Sequence, residues 1–285
     1  MTAILSVDVD DLAFAVRDSH GIPVPDAYQS CVPAAVDATL LLLADTGSRA
    51  TFFVQGWVCR TWPELVRCIY AAGHSIASHG MTHELVSRLS RPAFISSLRD
   101  SKRLLEDLIG TAVLGYRSPS FSSVRVIETA MHLIRDAGYT YSSSAHFGRT
   151  AFGEIPGRVA PLRIRLSNGL VECPISTVFA GGRGVSIGSS FYCRRLPTAV
   201  HRRLLAGAEH AAGGVHVYFH PFELAAEPVA WRRRLAHPCL LVYAGSRHRG
   251  ADRLRSMITS RRYVPIESLL MDSSQATPGG APTLR

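Results

Sequence analysis

The chain has a single lysine, Lys102, among 31 basic residues, no apolar run near membrane-spanning length, no glycine-rich phosphate loop and no Gly-x-Ser-x-Gly elbow. Each absence removes a class of function. A spanning helix needs about 20 consecutive apolar residues, so no membrane span is expected. Without a phosphate loop or an elbow, the commonest nucleotide-binding and serine-hydrolase architectures drop out. The six cysteines, Cys31, Cys59, Cys68, Cys173, Cys193 and Cys239, lack paired spacing. They fit free thiols in a reducing compartment better than a disulfide framework, and they form no cysteine zinc site. Met1 to Asp8 lack a basic leader segment and run straight into an apolar strand, so a cytoplasmic location without a signal peptide is expected. Arginine supplies nearly all of the basic charge behind a formal net +9. Its forked guanidinium suits an acidic sugar or a diphosphate carrier, although biased base composition in the gene gives the same preference. The densest basic segments, Arg232 to Arg234 and Arg247 to Arg262, interleave no aromatics for base stacking, so no nucleic-acid partner is expected.

At 285 residues and 47% hydrophobic, the chain fits one large α/β domain. Helical patterns run over Val32–Ala44, Pro63–Ala72, Arg91–Leu108 and Val126–Ala137, with Pro33 in a first turn and Gly47, Gly73 and Gly110 as stops. The run Ile4–Asp11 reads as a short apolar strand ending in carboxylates, and further strands read over Ala50–Val54, Ser75–Ser78, Val113–Tyr116 and Tyr139–Ser142. Strand and helix alternate in units of about 25 to 35 residues, which predicts a mainly parallel sheet. From Gly148 to Pro197 irregular loops are expected, with a small hairpin around Leu162–Val171 and Val171–Pro174. Val215–Phe219 returns to a strand, Ala244–Ser260 reads as a basic helix and Arg262–Pro265 as a last strand. Residues 272–285, rich in Ser, Pro and Gly, read as a mobile tail after a domain of residues 1–271.

The most informative segment is His74-Ser-Ile-Ala-Ser-His79-Gly-Met-Thr-His83. Neutral imidazole is a favoured ligand of divalent metals, and two rings four residues apart after a strand end can converge on one ion. A third, harder ligand is available from Asp8, Asp10 or Asp11, because a short apolar strand ending in carboxylates places them at the sheet's carboxyl edge.

Five segments in order carry a resemblance. They are Ser6-Val7-Asp8-Val9-Asp10, Ala50-Thr51-Phe52-Phe53-Val54, His79-Gly80-Met81-Thr82-His83, Gly115-Tyr116-Arg117-Ser118-Pro119-Ser120-Phe121 and Val217-Tyr218-Phe219-His220-Pro221. Over roughly residues 3 to 270 the chain resembles the polysaccharide deacetylases of carbohydrate esterase family 4, the NodB-homology group, and among them the exosortase-linked exopolysaccharide deacetylases. That resemblance implies a single-domain deformed (β/α) barrel of six to eight strands and metal-dependent removal of an N-acetyl group from an amino sugar. It implies Asp10, His79 and His83 as metal ligands, with zinc expected and cobalt or nickel possible. Asp11 stays open as a rival ligand or an outer partner, although strand alternation puts Asp8 and Asp10 on one side. Asp8 takes the place of the general base, Arg117 of the arginine that orients it, and His220 of the general acid. Ser120 N–H matches the oxyanion donor, while Pro119, Phe121, Trp57 and Phe222 are candidates for the acetyl- or sugar-binding surface. His74 has no counterpart and reads as structural. One departure stands out: Tyr141-Ser142-Ser143-Ser144 has Ser142 where relatives carry an aspartate that holds the catalytic histidine, and Glu223 is the candidate substitute. Alternatives are hydrolysis of another amide, an imide or an O-acetyl ester on the same fold, or a non-catalytic carbohydrate-binding descendant. Oligomeric state is left open.

Overall fold

The protein is seen in a computed structural model that describes residues 1–24, 26, 28–145, 159–180, 183–224 and 247–271. The expected tail, the Arg232–Arg234 run and Cys239 lie outside the described residues. In chain order the elements are β1 (Thr2–Val9), α1 (Leu12–His20), α2 (Val32–Asp45), β2 (Thr51–Val54), α3 (Gly56–Thr61), α4 (Pro63–Ala71), β3 (Ser75–Ser78), α5 (Arg91–Ile109), β4 (Gly115–Tyr116) and α6 (Ile127–Asp136). There follow β5 (Tyr141–Ser142), β6 (Ile164–Arg165), β7 (Val171–Glu172), β8 (Val178–Ala180), β9 (Arg183–Val185), α7 (Ser190–Arg195), α8 (Thr198–Ala212), β10 (Gly214–Phe219), α9 (Arg247–Ile258) and α10 (Glu267–Met271). No helix among the described residues is long and apolar enough to cross a membrane. Cys31, Cys59, Cys68, Cys173 and Cys193 are free thiols.

One eight-stranded sheet organises the molecule in the order β10-β1-β2-β3-β4-β5-β7-β6, parallel throughout except at β6–β7. β1 is buried from Ala3 onward, as a central parallel strand covered on both faces must be. Beyond β7 the Cys173 N–H donates to Ser142 O at 2.8 Å and the Ser176 N–H to His216 O at 3.0 Å. This segment therefore crosses from β5 to β10 and closes the curl of an α/β half-barrel. The registers Val7↔Phe219, Val9↔Val54, Val54↔Ser78, Ser78↔Tyr116 and Tyr116↔Ser142 align the carboxyl ends of five strands with β1. Parallel strands ending together bring Asp8, Asp10, His79, Arg117, Ser143 and His220 to one rim.

Several elements differ from the sequence expectation. α1 was not anticipated, although its signals are present: Asp11 caps it by accepting from Ala13 N–H, and Gly21 stops it in the left-handed region at φ 70°. α8 was also missed, because its buried positions His201, Leu205 and Ala208 make a weak stripe among arginines. The expected strand Arg262–Pro265 contracts to one bridge, Ile4↔Val264. There Val264 occupies the edge of β1 that β2, which joins only at Ser6, leaves open. The hairpin expected after Leu162 is β6–β7.

Three further histidines are buried in the neutral form. His74 accepts the Ala50 N–H on Nδ1, and burial together with Arg49 brings its pKa down to about 4. Burial, then Arg117, brings His216 to about 3, and burial lowers His201. An unfolded histidine titrates near about 6.5. Below that pH the unfolded chain takes up protons that the fold refuses, so these groups stabilise fully above 6.5 and progressively less down to about 4 and 3. Urea-denaturation midpoints should therefore fall between pH 7 and pH 4.5, and His74→Gln should flatten that fall. An unchanged slope in the variant would show that His74 is not one of the groups responsible.

Candidate active site

His79 leaves the end of β3 with a buried ring. Its Nδ1 lies 2.9 Å from Arg117 O. A carbonyl oxygen can only accept, so Nδ1 carries the proton and Nε2 is left as a ligand atom. Burial, with His83 beside it, pushes His79 down to about 3, which keeps the ring in the neutral, metal-binding form. Gly80 follows in the left-handed region at φ 78°, and the loop is braced by Gly56 N–H to Gly80 O and Trp57 N–H to Met81 O. A Cβ on Gly56 would sit 2.4 Å from Met81 Sδ and 3.3 Å from Met81 Cα, so a larger residue at the start of α3 would have to displace the Met81 side chain.

His83 is held from α1. Its N–H donates to Asp18 Oδ2 at 3.0 Å, its Nδ1 is 2.9 Å from Ser19 Oγ, and its Nε2 lies 3.3 Å from Asp10 Oδ2. One ligand atom from each of Asp10, His79 and His83 lies within 4.8 Å of the other two, and all three residues are buried. Asp10 Oδ1 is buried with no hydrogen-bond partner among the described residues. A buried carboxylate oxygen left unpaired is costly, and a cation bound by one carboxylate and two imidazoles resolves that cost with a donor set suited to zinc and its neighbours. The residues present therefore fit a divalent ion. Asp11 is engaged elsewhere: besides capping α1 it accepts from Tyr28 Oη at 2.7 Å and Ser30 Oγ at 2.6 Å, and burial raises its pKa.

Asp8 is buried beside the triad, and its Oδ1 accepts from Arg117 Nη1 at 2.5 Å. Arg117 is fully buried, with its guanidinium 4.1 Å from the Phe53 ring centroid and Nε donating to Ser143 O at 2.9 Å. Across the rim, His220 N–H donates to Glu223 Oε2 at 2.9 Å, and Nδ1 stands 3.5 Å from the same oxygen. Glu223 Oε1 in turn pairs with Arg194 Nη2 at 2.9 Å. Burial works against the charge on Glu223, but its contact with His220 and the Arg194 guanidinium bring it down to about 2. Burial likewise opposes the imidazolium, yet Asp10, Glu223 and Asp8 together raise His220 to about 9. A cation at Asp10 would offset that residue's share and leave Glu223 as the main support.

Arg194 escapes sequence reasoning, since it lies in the last turn of α7 in a stretch without a motif and meets Glu223 only through the fold. Ser142 bonds Ser144 Oγ at 2.8 Å, and the N–H groups of Ser144 and Ala145 donate to Glu172 Oε1 at 2.8 Å each. Glu172 pairs in register with Ser142, and burial raises it to about 6. A carboxyl on the neighbouring strand thus lies close to where the family aspartate is missing. Ser120 and Phe121 both have left-handed backbone, at φ 51° and φ 52°, a strained state for non-glycine residues that clusters at functional sites. Phe121 packs edge-on to Tyr218, with centroids 5.3 Å apart. Trp57 is half-buried between Phe14 and Trp62. Phe222 belongs to the cluster of Leu12, Ala13 and Val16 and stacks under the His220 ring, 4.9 Å between centroids.

Residues 24–142 match the family model "Polysaccharide deacetylase" and residues 142–271 match "Domain of unknown function (DUF3473)". The boundary falls in β5, and both segments contribute strands to the same sheet, while β1 with Asp8 and Asp10 precedes both. Over 143 residues the chain is 31% identical to a peptidoglycan deacetylase of Helicobacter pylori, covering 48% of this chain and 47% of the relative. Over 108 residues it is 26% identical to a peptidoglycan-N-acetylglucosamine deacetylase of Bacillus cereus, covering 38% and 40%. The chain thus spans less than half the length of these curated relatives. Among solved structures, one from Mycobacterium smegmatis assigned to the polysaccharide deacetylases aligns with a TM-score of 0.58 at 17% identity, covering 98% of this chain and 92% of that one. A carbohydrate esterase family 4 pseudoenzyme from Bacillus anthracis aligns at 0.53 and 14%, covering 94% and 65%. At these identities the solved structures show the fold alone, and that fold is found in a pseudoenzyme too; by the family model over residues 24–142 and the curated relatives, the chain carries a polysaccharide deacetylase segment.

Proposed function

We propose that residues 1–271 form one catalytic domain, a metal-dependent N-deacetylase that releases acetate from an N-acetylated amino sugar. The sugar belongs to a glycan, a lipid- or nucleotide-linked precursor or a sugar-containing natural product. The observation that carries this reading is a buried carboxylate, Asp8, clamped by Arg117 beside a second buried carboxylate and two buried imidazoles. Asp10, His79 and His83 would hold the ion, with zinc the best match and cobalt or nickel also suited to the set. When bound, such an ion supplies Lewis acidity toward water, whose pKa zinc typically lowers to about 7, and toward an acyl carbonyl.

The chain's own residues divide the remaining work. With Oδ1 fixed by Arg117, Asp8 offers its other oxygen as general base for the attacking water. Ser120 N–H, in its left-handed turn, donates to the oxyanion that develops on the acetyl group. His220, held protonated by Glu223, delivers a proton to the departing amine nitrogen. Pro119, Phe121 and Trp57 supply apolar surface for the acetyl methyl and the sugar face, whereas Phe222, buried under the His220 ring, supports the acid from below.

The reading is tested by measuring acetate released from a panel of N-acetylglucosamine oligomers, peptidoglycan fragments, O-acetyl esters and cyclic imides, before and after chelation. Metal-dependent acetate release from N-acetyl sugars is expected. Imide opening without acetate, or glycan binding with no turnover of any substrate, would overturn it. The acid assignment has its own signature. Glu223→Gln removes the carboxylate that raises His220, so the alkaline limb of the kcat/KM profile should move to lower pH by about one unit or more, the usual effect of an adjacent opposite charge. An unmoved limb would release His220 from this role.

A further inference from the structure

Asp8 takes Nη1 of the Arg117 guanidinium and Ser143 O takes Nε, while Nη2 donates to Ser143 Oγ at 2.7 Å and to Ser6 Oγ at 2.9 Å. Ser6 stands two residues before Asp8 on β1, hence on the same face of the strand. Its Oγ is also 2.9 Å from His216 Nε2 on β10, and His216 Nδ1 lies 3.0 Å from Pro174 O. Ser6, Arg117 and His216 are all fully buried.

The donors in this chain can be assigned from chemistry alone. Pro174 O accepts only, so Nδ1 of His216 bears the ring proton. Burial, then the nearby Arg117 charge, holds the ring neutral at about 3, so Nε2 is bare and accepts the Ser6 hydroxyl proton. With its proton committed to His216, Ser6 Oγ turns a lone pair toward Arg117.

We propose that Ser6 and His216 are positioning residues for the base: the chain from Pro174 O through the His216 ring to the Ser6 hydroxyl fixes the guanidinium that orients Asp8. This rests on Asp8 acting as base in the hydrolysis proposed above. Neither residue reaches substrate or metal ligand; each acts through Arg117. The guanidinium is held by Asp8, Ser6 and both oxygens of Ser143. Without the Ser6 contact it can pivot, and a small misplacement of a catalytic group is expensive.

The test uses the metal-loaded protein with 4-nitrophenyl acetate and N-acetylglucosamine oligomers. Ser6→Ala should lower kcat about tenfold, the worth of one hydrogen bond to a charged group, with KM and metal content unchanged. His216→Asn keeps a donor for Pro174 O but places nothing where Nε2 was, and should match that loss. His216→Gln can set its amide oxygen near the former Nε2 and should recover kcat relative to His216→Asn. The double variant Ser6→Ala/His216→Asn should be no slower than the slower single variant. Losses that multiply, or equal losses in the Gln and Asn variants that track thermal stability, would reduce the pair to packing. Independently of turnover, nitrogen NMR of the wild-type protein should show His216 protonated on Nδ1 and bare on Nε2; the opposite tautomer ends the proposal. If wild-type protein hydrolyses no acetylated substrate, the proposed function fails while the NMR result still decides the relay.

Discussion

His79→Asn should abolish stoichiometric divalent-metal binding. Asparagine's amide can still donate to Arg117 O, as His79 Nδ1 does at 2.9 Å, so the loop after β3 keeps its anchor while the Nε2 ligand disappears. Loss of a mere outer partner of a metal ligand typically costs about 10–100-fold in affinity, so deletion of the ligand itself should exceed a hundredfold. Metal analysis after desalting, and the thermal shift on adding zinc, both read it directly. Asp11→Ala is the matched control. It removes the α1 cap and strands the hydroxyls of Tyr28 and Ser30, costing about 1 kcal/mol or more of stability, yet metal content should persist. Metal retained in His79→Asn, or lost in Asp11→Ala while Asp10→Ala keeps it, would transfer the site to other residues.

Asp8→Asn should separate chemistry from metal binding. The substituted amide keeps an oxygen for Arg117 but is no base, and a positioned general base typically contributes about a hundred- to ten-thousandfold. Turnover should fall within that range with metal content and KM little changed. Asp8→Ala should behave differently, because it leaves the buried guanidinium without its counter-ion, and breaking a buried pair costs about 3–5 kcal/mol. A fall in activity explained wholly by lost folding in both variants would argue that Asp8 is structural. Near-normal turnover in Asp8→Asn would pass the base to another group.

The legible parts of this molecule were local ones. Ile4 to Val9 announce a buried central strand by apolar continuity, and the strand-end positions of Asp8, Asp10, His79 and His220 follow from short apolar runs that stop at polar residues. Parallel register then aligns those ends, so the convergence of Asp10, His79 and His83 was within reach of the sequence. What depended on distant partners was not. α1 is obscured in the sequence because Asp11 and its neighbours have the look of metal ligands, whereas the fold uses Asp11 as a cap and Asp18 and Ser19 to hold His83. Arg194 and Glu223 are 29 positions apart by number and meet only through the packing of α7 near the turn after β10. Glu172 gains meaning from its register opposite Ser142. Strand lengths were overestimated at β4 and β5, where the pairing spans two residues each.

The most direct measurement is anomalous diffraction from crystals of the protein loaded with zinc. A single peak about 2.0–2.2 Å from His79 Nε2, His83 Nε2 and an Asp10 oxygen, with Asp8 beside it but not bonded to it, is the expected result. A peak coordinated by Asp11 instead of Asp10, or zinc bound anywhere else while this cluster remains metal-free, would contradict the assignment of the site and the chemistry built on it.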